Sequence, residues 1–110
     1  MRFRLKDLSV IGVHPTLDMI AHEIKERFDL TTITCGKREG DPSVHGTVPL
    51  RALDIRCRDL CLGECVENWI NELWEYDPSR PDKAVCWCHD TGQGMHLHLQ
   101  VHPKTRRRSG

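Results

Sequence analysis

From Met95 to His102 every second residue is apolar, and every other one is polar with a coordinating or hydrogen-bonding tip. A β-strand, whose successive side chains point to opposite faces, has that period. Met95, Leu97, Leu99 and Val101 then enter a core, while His96, His98, Gln100 and His102 share the other face with neighbours about 6.7 Å apart. Any fold containing this segment needs a sheet with one apolar side to cover. Two imidazoles at such a spacing can converge on one ion, so the polar side is a candidate metal site.

The rest of the chain supplies what would cover the apolar side. Leu17, Ile20, Ala21, Ile24 and Phe28 fall at helical spacing behind Pro15, which suits a first helical turn. Leu30 to Cys35 reads as a strand ending at Gly36, with a charged loop from Lys37 to Gly46. A second strand is expected within Val48 to Ile55, starting after Pro49 or lying at an edge, with Asp54 near its end. Val66, Trp69, Ile70 and Leu73 predict a second helix from about Glu64 to Tyr76, stopped by Asp77-Pro78. Ala84 to Cys88 and Met95 to His102 flank His89 to Gly94 as a hairpin with glycines in its turn. The expected class is α+β: a small antiparallel sheet, two main helices packed against it, and the metal site on the sheet face.

With 110 residues there is room for one core, so residues 1–103 read as a single domain and 104–110 as a basic, solvated tail. Lys+Arg and Asp+Glu both number 16, and the basic cluster Lys104, Arg106, Arg107, Arg108 has no aromatic neighbour for base stacking. Nucleic acid is therefore not an expected partner. No apolar stretch approaches the length of a membrane span, and none follows the N-terminus as a signal peptide would. The expectation is a cytoplasmic product and a monomer, with its six cysteines reduced.

Further donors are needed beside His96 and His98. The loop Asp41-Pro42-Ser43-Val44-His45-Gly46 offers a histidine, and Leu50-Arg51-Ala52-Leu53-Asp54 offers a carboxylate in an apolar setting, where it needs a partner. In this order the residues resemble the zinc peptidases that include D-alanyl-D-alanine carboxypeptidases, phage endolysins cutting cell-wall stem peptides, and the hedgehog signalling domain. Ser43-Val44-His45 leading to Ala52-Leu53-Asp54, then His96-Leu97-His98, carry the likeness, which spans roughly residues 32 to 102. Asn71 to Pro78 and Gln100-Val101-His102-Pro103 look most like small phage or prophage-encoded members.

The resemblance implies a zinc-dependent peptidase acting on peptidoglycan stem peptides, with His45, Asp54 and His98 as zinc ligands. It implies His96 as the residue that handles protons or steadies the transition state, and Arg38, in Thr34-Cys35-Gly36-Lys37-Arg38, as the residue that holds a substrate carboxylate. Two departures touch the site. His45 and Asp54 are further apart in sequence than is usual in the family, which asks the intervening chain to bulge. Met95 stands where many members carry a catalytic acid, and a thioether takes no proton from water.

Alternatives remain. His96 could be a fourth ligand that closes the site into a structural one, and His89 or Asp90 could turn towards the metal. A binding module that keeps the zinc and lacks turnover is the alternative function. Cys57, Cys61 and Cys65 recur every four residues and Cys86 and Cys88 share a strand face, but without a Cys-x-x-Cys pair core packing is favoured over a thiol metal or redox site. Trp69, Trp74 and Trp87 fall in predicted elements, with Trp74 or Trp87 able to wall a peptide groove.

Overall fold

The computed structural model describes residues 4–5, 13–35, 51–90 and 94–108. In chain order these form β1 (Arg4–Leu5), α1 (Pro15–Phe28), β2 (Thr32–Cys35), β3 (Ala52–Arg56), α2 (Leu60–Leu73), β4 (Trp74–Glu75), β5 (Cys86–Asp90), β6 (Met95–Gln100) and β7 (Arg106–Arg107). Five strands make one sheet in the order β1-β2-β3-β6-β5, antiparallel from β2 to β5 with β1 parallel at the edge. β4 and β7 pair as a separate two-stranded ribbon. The class is the expected α+β.

Local chemistry explains both helices. At α1 the His14 ring accepts from the Thr16 N–H at 3.1 Å, Pro15 fills the first turn, and Asp29 closes the far end in the left-handed region at φ 57°. Asp59 caps α2, its Oδ1 accepting from Leu62 N–H at 3.1 Å. α2 starts earlier than its apolar spacing predicts and ends before Tyr76. Trp74 turns extended to pair with Arg107, a tertiary partner that no local signal announces.

Leu17, Ile20 and Ile24 of α1 and Val66 and Ile70 of α2 bury against Leu53, Ile55, Leu97 and Leu99. The helices thus cover one face of the sheet. At about 25 cal/mol per Å² of apolar surface, this burial is the main force holding the layers together. Alternation leaves Asp54, Arg56, His96, His98 and Gln100 on the other face, joined by Trp87 and His89 of β5. β5 runs on through His89 and Asp90, which the sequence pattern assigned to the turn.

Residues 105–108 dock on the fold rather than run free. Although Arg106, Arg107 and Arg108 are exposed, β7 pairs with β4, and Arg108 N–H donates to Leu73 O at 2.9 Å. Arg107 pairs with Glu23 and lies 4.8 Å over the Trp74 ring, and Thr105 Oγ1 donates to Tyr76 O. Among the described residues no helix is long and apolar enough to cross a membrane.

Candidate metal centre

The antiparallel register of β3 and β6 sets Asp54 directly opposite His98, and that of β6 and β5 sets Trp87 on His98's other side. The approach to Asp54 is irregular. Between Ile33 and Cys35 β2 holds one residue more than β3, a bulge at Thr34, whose Oγ1 donates to Asp54 O at 3.3 Å. Asp54 and His98 are both buried, as is Gln100, an unusual concentration of polar side chains for a domain this small.

Their hydrogen bonds have a direction. The Gln100 amide donates through Nε2 to Ala84 O at 2.9 Å, which turns its Oε1 towards His98 Nε2 at 3.3 Å. An amide oxygen only accepts, so a proton on His98 Nε2 satisfies this contact. Nδ1 is left facing Asp54 Oδ1 at 3.0 Å. A ring-nitrogen lone pair and a carboxylate oxygen repel unless something positive stands between them, either a second ring proton or a metal ion. The arrangement matches a zinc-bound histidine, whose other ring N–H is held by an oxygen acceptor. Two ligands of one tetrahedral zinc stand about 3.3 Å apart, given bonds of roughly 2.0–2.1 Å. At 3.0 Å, Asp54 and His98 have the separation of an ordinary N–H···O hydrogen bond, a few tenths of an ångström inside the spacing of two zinc ligands.

The other expected site residues lie at different distances from this pair. His45 and Arg38, the third ligand and the substrate arginine, lie outside the described residues. His96 shares the face but sits one rung away, opposite Arg56 and His89, and among the described residues no three His, Cys, Asp or Glu side chains converge as a metal cage. His89, on the same face, holds its ring centre 6.2 Å from that of His98, and its Nε2 is buried without a hydrogen-bond partner. Asp90 is opposite Met95 on the alternate face and does not share the histidine side of the sheet.

No protein-family model, curated protein or solved structure matches the chain.

Around the pair, Trp87 stacks on His98 with ring centres 4.3 Å apart and remains partly open to solvent, so it can wall a groove. Trp74 cannot, because it is buried and donates to Glu23 Oε1 at 2.7 Å. Sequence reading missed Asn71. Its Oδ1 accepts from Val85 and Cys86 N–H at 3.2 and 3.1 Å while its Nδ2 donates to Cys86 O at 2.7 Å. With Glu67 accepting from Cys88 N–H at 3.1 Å, α2 pins the outer edge of β5 and so fixes Trp87 and His89. A polar residue inside an amphipathic helix was the available signal.

The cysteines divide. Cys57 and Cys86 are buried in the core and Cys88 is partly buried, and desolvation pushes all three thiols up, so they stay protonated and unreactive. Cys61 and Cys65 are exposed on α2 rather than packed. A roomier groove of about 920 Å³ lies along α1 near Met19, His22 and Trp69, away from the Asp54–His98 pair.

Proposed function

We propose that the protein is a zinc-dependent peptidase acting on peptidoglycan stem peptides, with His45, Asp54 and His98 as its ligands. The observation that carries this reading is the buried approach of His98 Nδ1 to Asp54 Oδ1 at 3.0 Å, a gap that a ring proton or a shared metal ion can bridge, with Gln100 on the other ring nitrogen. The cell-wall substrate comes from the motif resemblance. When bound, zinc supplies a Lewis acid for the scissile carbonyl and a water acidified towards a pKa of about 7.

The chain's own residues do the rest. Gln100 fixes the His98 ring, and Asp54, buried beside it, offers a carboxylate oxygen as a second ligand. His96, one same-face step of about 6.7 Å along β6, can donate a hydrogen bond to the oxygen where charge develops. Trp87 offers a flat apolar wall along which an extended peptide can lie.

Met95 favours a second reading, a zinc-stabilised binding module. It replaces the family's acid with a thioether, and its partner across the hairpin, Asp90, belongs to the alternate face. Zinc analysis of wild type, His45→Ala, His98→Ala and His96→Ala, each incubated with purified peptidoglycan, separates the two. A peptidase loses zinc in the first two variants, keeps it in His96→Ala, and releases peptide fragments as wild type alone. Zinc held tightly by wild type with no fragments released would favour the module. Zinc retained by every variant would remove both readings.

A further inference from the structure

Beyond the Asp54–His98 rung the sheet ends in a small cavity of about 80 Å³ lined by Arg56, Arg58, Gly94, Met95 and His96. That is several times the room one water needs. Two of its lining residues are arginines. The ion pairs of the described residues engage Arg106, Arg107 and Arg108 with Glu75 and Glu23, and leave Arg56 and Arg58 without a carboxylate. Two unneutralised cations on one concave surface repel each other and attract an anion. Gly94, at φ 110°, has none of the described residues within 4 Å of where a Cβ would stand.

We infer that the Arg56–Arg58–His96 cavity binds a carboxylate of a peptide ligand. Arginine presents paired N–H donors matched to the two carboxylate oxygens. The identity of the ligand rests on the peptidase reading, and so does the register. Arg56 and His96 form the same-face rung next to Asp54 and His98, about 6.7 Å away along the strands. One or two extended residues span roughly that distance. A peptide whose scissile carbonyl sits at Asp54 and His98 thus reaches the cavity with a carboxylate one or two residues away. Met95 then has a consequence of its own, since an acid at this wall would partly cancel the charge that draws the ligand.

The test is a titration of the full chain followed by NMR at the Arg56 Nε–H and His96 ring signals, with no turnover required. The probes are N-acetyl-Ala-Ala as free acid, its C-terminal amide, and the C-terminal amide of N-acetyl-Glu-Ala. The free acid or the glutamate peptide should shift both signals and the plain amide should not. Which acid binds tells a terminal carboxylate from a side-chain one. Arg56→Gln with Arg58→Gln, its amide spectrum showing the fold kept, should weaken binding by about tenfold or more. Equal binding of acid and amide, unchanged affinity in the variant, or no shift with any probe would overturn the inference. Failure of the zinc-loaded protein to cut peptidoglycan would overturn the peptidase reading and leave this result standing.

Discussion

At the scale of single residues, His98 is defined by what sits on its two ring nitrogens. Gln100 reaches His98 only because its amide is also anchored to Ala84 O, so the side chain acts as a fixed acceptor. Replacing Gln100 with Leu keeps the volume and removes that acceptor. Zinc affinity should fall by about 10- to 100-fold, as for other partners of a metal-bound ring, measured by competition with a chromophoric chelator. Unchanged affinity would mean that Gln100 does not orient the ring. The alternation from Met95 to Val101 made it legible that His98 and Gln100 share a face. It could not say which ring nitrogen meets which oxygen, because the deciding contact is with Ala84, on a different segment. Trp74 and Trp87 were equally open in sequence, and tertiary partners separated them: a carboxylate for the buried indole, an imidazole for the partly open one.

Secondary-structure elements hold the site through α2. Asn71 satisfies three backbone groups on the outer edge of β5, so Asn71→Ala orphans two N–H donors and one carbonyl. The expected loss is about 1–3 kcal/mol, read by urea unfolding, with faster amide exchange at Val85 and Cys86 than in β3. Two turns earlier, Cys88 Sγ occupies the place a Gly63 side chain would need. Gly63→Ala gains roughly 1 kcal/mol of helix propensity and meets overpacking of about 1–3 kcal/mol. A net loss is expected, and Cys88→Ala should relieve it in a double-mutant cycle; additive effects would show that the two groups do not touch. Both helices and the hairpin were legible because apolar spacing is a local signal. The end of α2 was not, since Trp74 leaves the helix for Arg107, a partner far along the chain.

The whole molecule is closed by its C-terminal segment, which a reading by composition treats as a solvated basic run. Thr105 to Arg108 instead join the end of α2 and the turn after it, through Leu73 O, Asn71 O, Tyr76 O and Glu75, and reach α1 through Glu23. Removing residues 104–110 should cost about 2 kcal/mol, most of it from lost hydrogen bonds rather than exposed ion pairs. The loss should therefore change little with added salt, and a loss abolished by salt would contradict this account. The turn on which the segment docks carries a pH signature. Ser79 donates its backbone N–H and its hydroxyl to Asp77 Oδ1 at 3.0 and 2.9 Å. These bonds, the backbone one foremost, hold the Asp77 carboxyl below its ordinary value. A carboxylate with a lowered folded-state pKa adds stability above the unfolded value of about 3.9, and that contribution disappears as pH falls through the folded value. Wild type should therefore exceed Asp77→Asn in stability at neutral pH, with the difference shrinking below about pH 4. Urea midpoints from pH 7 to pH 2.5 would show it. A difference independent of pH would mean that the charge on Asp77 does not hold the turn, leaving its hydrogen-bonding shape alone to join β4, β7 and the end of α2.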